Sequence, residues 1–303
     1  MWYRVQLRQL MKYKMLYLLS LPGILYFVVF KYIPLTGSVM AFQEFNLFKG
    51  ITGSPWVGLE HFQRMFAYSE FLVILRNTLI IAGYDLILAF PIPIILALLI
   101  NEVRKVFFKR FVQTAIYMPH FLSWIIIGGI TIELLSPTTG AVNQVLKAFH
   151  IEPIYFMGDD SYIRTVIVGS GIWRDAGWGT ILYLAALAGI NPDLYEAASI
   201  DGASKWRQIR SITLPALLPT ISILFLLQIG NFLDFGFDRV YVFLNAANAS
   251  KAEILDTYIY RVGLLNMQYS YTTAIGVFKS VVGLVLIMLG NAVSKKATGE
   301  GLY

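Results

Sequence analysis

Six apolar runs of roughly 20 residues dominate the chain, near 14–33, 72–100, 111–135, 163–190, 216–234 and 272–293, and each is long enough to cross a hydrocarbon core about 30 Å thick. Inside lipid the backbone N–H and C=O groups find no water, so a crossing segment must satisfy them itself. No alternating ten-residue pattern of a barrel is present, which leaves helices. The chain therefore reads as an all-α membrane protein, a six-helix transmembrane bundle. Of its 303 residues 57% are hydrophobic and 14% charged, with a mean hydropathy of +0.64, more apolar surface than a soluble domain of this length hides. Three segments follow: a cytoplasmic stretch at 1–13, a membrane domain at 14–293 containing one notable polar loop at 191–215, and a tail at 294–303.

The net charge of +6 does not point to nucleic acid, because no basic stripe is interleaved with a soluble fold. Lys and Arg instead collect beside the apolar runs. The N-terminus, the 101–110 and 191–215 loops and the tail hold about 13 of them, against about 6 in the loops at 34–71, 136–162 and 235–271. That asymmetry predicts that both termini and the 191–215 loop are cytoplasmic, in a bacterial plasma membrane. Arg4, Arg8, Lys12 and Lys14 look like the start of a signal peptide, but a full-length first run without a small-residue cleavage site predicts an uncleaved span. The chain has no Cys, which excludes disulfides and thiolate chemistry. His61, His120 and His150 are too scattered for a metal site and read as loop or interface residues. Trp56, Phe62, Phe66, Tyr155, Phe156, Tyr241 and Phe243 predict outward loops that pack. Pro91, Pro93, Pro119, Gly169, Gly171, Gly177 and Gly179 interrupt the spans, either as bends or as points of close helix packing.

The 191–215 loop contains EAASIDGASKWRQIRSITLP. Asp193, after Asn191-Pro192 and three residues before Glu196, predicts an N-cap with a capping-box start. Gly202 predicts the stop of that short helix in a left-handed conformation. Ser204 predicts the cap of a second short helix, with Trp206 and Ile209 on one face and Lys205, Arg207 and Arg210 free for acidic partners or lipid phosphates. Leu214-Pro215 is expected to end it and open the fifth span. From these residues alone, a lever for a soluble partner and a solvated loop lying on lipid both remain open.

Glu196, Ala197, Ala198, Gly202, Ile212, Leu214 and Pro215 stand at the spacing EAA, three residues, Gly, nine residues, Ile-x-Leu-Pro. This resembles, position for position, the EAA motif of binding-protein-dependent ABC importer permeases. The segments AFQEFNLFKGITGSPWVGLEHFQRMF and RVYVFLNAANASKAEILDTYIYRVGL and the ending GEGLY are similar to the subgroup of carbohydrate-uptake permeases that import complex oligosaccharides. The resemblance implies a type I ABC importer fold and a subunit that pairs with a second homologous permease, two cytoplasmic ATPase subunits and an extracytoplasmic sugar-binding protein. It also implies that the EAA loop is the coupling helix seated on an ATPase, with Glu196 making polar contacts and Gly202 allowing the bend. No cofactor is implied in this chain; ATP and Mg belong to the partner ATPase, and the chain lacks a G-x-x-x-x-G-K-[ST] loop and is not itself an enzyme. An alternative function, a secondary transporter or channel, predicts inverted repeats or a filter motif that the chain lacks. A membrane enzyme built on Ser170 lacks a His partner.

Ionisable residues at membrane depth mark a polar path. Arg174 and Asp175 lie near the middle of the fourth run between Trp173 and Trp178, whose faces suit the C–H side of a pyranose. Being adjacent, Arg174 and Asp175 are not expected to share a face, so one of them needs a partner elsewhere. Asn231 and Asp234 are candidates to complete a sugar cavity. An interhelical ion pair with interfacial Trp packing is the competing reading. Asp85 and Lys279 read as structural, although Lys279 and Arg174 would welcome a uronate if they faced the cavity.

Overall fold

The computed structural model describes residues 12–298, so Arg4, Arg8, most of the 1–13 stretch and the GEGLY ending lie outside the described residues. The described residues fall into two compact units, one within Met1–Ala67 and Val262–Val277, the other within Tyr68–Arg261 and Phe278–Tyr303.

The first unit begins with α1, Lys14–Phe27. It continues through a π-helical turn at Val28–Tyr32 and a turn of α-helix at Ile33–Leu35 into a 3₁₀ segment at Thr36–Phe42. No side chain from Lys14 to Leu35 is buried, as suits a helix that is apolar all round and lies in lipid. Beyond it Ala41, Met65, Tyr271, Ala274 and Ile275 form a small buried core. His61 is fixed there by a 3.0 Å bond to the Gln43 carbonyl. Trp56 and Phe66 are themselves largely exposed.

In the second unit, α2 (Ser69–Tyr84) and α3 (Pro91–Glu102) form one long span joined by a π-helical turn at Asp85–Ala89. The third expected span is not one helix. Helix α4 (Val106–Tyr117) and the 3₁₀ turn Met118–Phe121 meet α5 (Trp124–Leu134) at 106°. Pro119 explains the break, since it has no N–H to donate. After α6 (Ala141–Ala148) comes α7 (Ile163–Ala188), then α8 (Asp193–Ile200), α9 (Lys205–Gln208), α10 (Leu214–Gly230) and α11 (Phe237–Tyr241); α12 (Tyr269–Thr298) belongs to the first unit up to Val277 and to the second from Phe278. Among the described residues four helices are long and apolar enough to cross a membrane, and the bent pair makes a fifth. Helix α7 corresponds to the fourth expected span, the remaining one of the six. Its 26 residues are long enough, but Arg164, Arg174 and Asp175 dilute its apolarity. It tolerates them because it is the most protein-enclosed helix of the unit, burying Ile163, Ile167, Ser170, Gly177, Thr180 and Tyr183 among other residues.

Helix α7 runs unbroken past its glycines, and Gly177 shows why. A Cβ there would sit 1.9 Å from the Ile116 carbonyl oxygen of α4, so only Gly permits that approach of the two helices. Gly169, by contrast, has nothing within 4 Å of such a Cβ. The loops of this unit are pinned by buried amides. Asn143 Nδ2 donates to the carbonyls of Leu135, Ser136 and Ile154 at 3.0–3.1 Å, and Asn248 Nδ2 donates to those of Met157 and Phe243 at 2.9 Å. Phe243 is buried in the resulting cluster with Ile163, Ile167, Val240 and Ile254, whereas Tyr155 and Tyr241 stay exposed.

Three π-helical turns, Val28–Tyr32, Asp85–Ala89 and Ile209–Thr213, each end two residues before a proline: Pro34, Pro91 and Pro215. A proline ring crowds the carbonyl four residues back and leaves it without a donor. Widening the preceding turn shifts that carbonyl and lets the helix continue. Pro22 and Pro219 lie inside helices without such a turn, so proline alone does not dictate it.

Replacing Gly177 by Ala should lower the thermal stability of the purified protein by about 1–3 kcal/mol. Gly169→Ala should leave it unchanged or raise it by up to about 1 kcal/mol. Melting curves in detergent compare the two.

Candidate substrate cavity and coupling loop

A cavity of about 430 Å³ opens between α2–α3, α7 and α10, within the range of small-molecule sites. Its deepest polar feature is an ion pair. Arg239 of α11 holds Asp85 with two bonds, Nη1 to Oδ2 at 2.6 Å and Nη2 to Oδ1 at 2.8 Å. Nε and Nη2 also donate to the Ile167 carbonyl at 3.2 and 3.1 Å. The side chains are 9% and 4% exposed. Gly171 makes room for the guanidinium, since a Cβ there would lie 2.5 Å from Arg239 Cζ. Asp85 is structural, as its sequence context indicates. Its partner was not legible: Arg239 falls in the stretch at 235–271 that reads as an outward loop, next to Asp238, and nothing local marks the short helix α11 that carries it to Asp85.

A second network flanks the cavity at mid-height of α7. Asp175 Oδ1 accepts from Arg174 Nη1 at 2.9 Å and from His120 Nδ1 at 2.8 Å. Arg174 Nε donates to the Leu122 carbonyl at 3.2 Å, and its guanidinium lies 4.8 Å from the Trp124 ring. Arg174 and Asp175, adjacent and not expected to share a face, still bond to each other because the long Arg side chain folds back to its neighbour. The expectation that at least one needs a partner elsewhere holds, with His120 on Asp175 and the Leu122 carbonyl on Arg174. Of the two readings open for His120, loop or interface residue, the structure gives the interface: it stacks on Trp178 with ring centres 4.6 Å apart and planes 5° apart.

Of the six residues expected to hold sugar, Asp175, Asn231 and Asp234 line this cavity. Trp173 lines a different, almost wholly apolar cavity of about 450 Å³ with Leu134, Phe156 and Val166. Arg174 and Trp178 line neither. The cation that lines the cavity, Arg239, and two more nearby, Arg174 and Lys279, are already committed. Arg239 holds Asp85 and Arg174 holds Asp175. Lys279 is bound to Asp256 and stands 4.0 Å from Asp234. The side chain of Asp234 is 69% exposed, the least committed carboxylate of the set.

The polar loop is a rigid elbow. Asp193 is not its N-cap: Pro192 holds that position, and Asn191 Oδ1 accepts the Asp193 N–H at 3.0 Å. Asp193 and Glu196 instead occupy the first turn, where the helix dipole favours carboxylates. At the other end Gly202 has φ +72°, while the Ala203 N–H reaches the Ala198 carbonyl at 2.9 Å and the Gly202 N–H that of Ser199 at 3.1 Å. This is the Schellman closure that glycine supports best. Ser204 Oγ caps α9, accepting from the Arg207 N–H at 3.4 Å. Leu214-Pro215 does not end the second helix. Through the π turn at Ile209–Thr213, α9 and α10 form one 26-residue helix from Lys205 to Gly230. Gln208, buried, ties it to α8 by donating to Ser199 Oγ at 3.0 Å and to the Ala203 carbonyl at 3.3 Å. Tyr195 and Thr213 hydroxyls meet at 2.9 Å. Glu196 and Ala197 are exposed and Ala198 is half-buried; Ile212 and Leu214 are half-buried and Pro215 exposed. Ile200 and Trp206 stand out at 87% and 71% exposure. Lys205 is tied to Glu102 at 3.3 Å rather than free.

Among the described residues no three His, Asp or Glu are grouped to hold a metal. A bundle enclosing a polar cavity and joined to an exposed, stiff elbow is the anatomy of a membrane transport subunit. Residues 89–298 match the family of binding-protein-dependent transport system inner membrane components, and the chain belongs to that family. It is 49% identical to the polygalacturonan/rhamnogalacturonan transport system permease protein YteP of Bacillus subtilis, over 97% of this chain and 92% of that one. It is 48% identical to protein LplB of the same organism, over 96% and 91%. Among solved structures, a bacterial ABC transporter that imports the acidic polysaccharide alginate aligns with a TM-score of 0.90 at 38% identity, over 97% of this chain and 99% of that one. A second structure of a bacterial alginate transporter, in complex with its alginate pentasaccharide-bound periplasmic protein, also aligns at 0.90 with 37% identity. The chain is thus a multi-pass inner-membrane permease subunit, not itself a catalyst.

Arg239→Met leaves Asp85 buried without a partner and should destabilise the protein by about 3–5 kcal/mol, whereas the double variant Asp85→Asn, Arg239→Met should recover most of that loss. Thermal unfolding of the two purified variants measures the difference.

Proposed function

We propose that this chain passes acidic oligosaccharides, delivered by an extracytoplasmic binding protein, across the bacterial inner membrane, with its 191–215 elbow seated on a cytosolic ATPase. In this account both termini are cytoplasmic. The working complex contains a second homologous permease and two ATPase subunits, which bind ATP and Mg. The observation that carries the proposal is the unbroken helix from Lys205 to Gly230. It starts at the elbow and ends beside Asn231 of the cavity, a span of roughly 39 Å at 1.5 Å per residue. Whatever moves the elbow therefore moves the cavity wall as one piece. The driving energy comes from nucleotide, because only a ligand that binds two states differently shifts their balance.

Two relatives support the substrate class, a polygalacturonan/rhamnogalacturonan permease and an alginate importer. On this wall Asp175, Asn231 and Asp234 serve sugar hydroxyls, since carboxylates and amides accept from O–H groups. With Arg239, Arg174 and Lys279 all paired, the counter-charge for a uronate falls to the second permease.

Glu196→Lys and Gly202→Asp should each leave protein in the membrane but abolish uptake. The first puts the wrong charge on the docking face, and the second strains a left-handed position by about 1–2 kcal/mol. Normal uptake by both would remove the coupling role. Within the assembled complex, Asp175→Ala should lower sugar-stimulated ATP hydrolysis several-fold while Trp173→Ala leaves it near wild type; equal effects would contradict the cavity assignment.

A further inference from the structure

The Asp175 carboxylate is held by two donors that use the same oxygen. His120 Nδ1 and Arg174 Nη1 both bond to Oδ1, so Oδ2 remains for an outside donor. A carboxylate only accepts, and Nδ1 of His120 must therefore carry the shared proton. The imidazole has little freedom to do otherwise. It lies flat on Trp178, which is three residues after Asp175 on the same face of α7. Phe121 stands edge-on to both stacked rings, 5.7 Å from Trp178 and 5.9 Å from His120.

His120 also belongs to the 3₁₀ turn at which the third span bends by 106°. The neighbouring carbonyl of Leu122 is occupied by Arg174 Nε, and Arg174 itself lies over Trp124, the first residue past the bend. Residues 174 and 175 of α7 thus hold both sides of the break. Asp175 does so while lining the cavity.

We propose that His120 is a positioning residue for transport: by donating from Nδ1 to Asp175 Oδ1 it aims that carboxylate at the passing sugar and makes the break in the third span part of the cavity wall. It touches no substrate and acts through Asp175. The inference rests on the cavity reading above.

The test uses the complete complex in vesicles with labelled trigalacturonide as probe, delivered by saturating binding protein. His120→Phe keeps a ring to stack on Trp178 but donates nothing. His120→Asn loses the ring but presents an amide N–H at nearly the position of Nδ1. Losing one hydrogen bond to a charged group should cut the uptake rate about tenfold in His120→Phe, whereas His120→Asn should stay within about threefold of wild type. Should His120→Phe fail to assemble, His120→Leu replaces it. Equal loss in both variants, loss in neither, or a larger loss in His120→Asn overturns the proposal. Asp175→Asn separates the two readings. If it lowers uptake but His120→Phe does not, only the role of His120 fails. If Asp175→Asn transports normally, or the wild-type complex takes up no trigalacturonide, the cavity reading fails and this one with it.

Discussion

A charge inside a lipid-spanning bundle has to be neutralised by another charge, and the second unit is organised around that requirement. A lone ion at membrane depth costs several kcal/mol, and one whose partner has been removed costs about as much as a small protein's whole margin of stability. Here Asp85 meets Arg239, Arg174 meets Asp175, and Lys279 meets Asp256. Each pair joins segments distant in sequence or braces a local irregularity. Arg239 brings α11 down onto α7 and the π turn, and Arg174 caps the free carbonyl of the broken third span. Beyond the buried Asp85–Arg239 pair, Asp175, Gln228, Asn231 and Asp234 are polar groups that line the cavity. Specificity in the passage is then a question of which groups remain uncommitted, rather than of which charges are present.

The other organising device is the π turn before proline. In the 85–89 turn it turns Asp85 toward Arg239 within an otherwise apolar span, and the Phe90 N–H bonds to the Asp85 carbonyl at 2.9 Å, one residue farther than in an α-helix. In the 209–213 turn the same device carries the chain past Pro215 without a break. An elbow separated from the membrane by a flexible joint would lose its displacement in that joint. A continuous helix with Gln208 and Tyr195 clamping α8 to its base passes the displacement on. The Pro of the EAA pattern thus acts with the widened turn before it, as a way through a helix rather than an end to one.

Much of this was legible in the chain. Runs of roughly 20 apolar residues imply helices because lipid offers the backbone no alternative, and Gly202 implies a left-handed turn because other side chains resist it. What escaped has physical reasons. Asp193 looked like a cap, but the helix starts one residue earlier than that, with Pro192 at the N-cap position and Asn191 Oδ1 accepting the Asp193 N–H. Leu214-Pro215 looked like an end because a π turn has no composition of its own. His120 looked incidental because its partner, Asp175, lies 55 residues away, and Arg239 was hidden for the same reason with Asp85. Periodicity and capping are local signals, whereas ion pairing in a bundle is settled by which helices come together. Trp173 stands apart for a related reason: a residue next to Arg174 lies about 100° around the helix from it, and here it lines a separate cavity.

The central claim is that a cytosolic motor holds the elbow and through it the cavity wall. Because the chain has no Cys, Ile200→Cys introduces a single thiol at a position of the elbow that is 87% exposed. The decisive measurement is the rate at which a membrane-impermeant thiol reagent modifies that residue in inside-out vesicles, with and without the ATPase subunits. The account predicts fast modification of the permease alone and strong protection in the assembled complex. Equal rates in both, or modification only from the opposite side of the membrane, would contradict it.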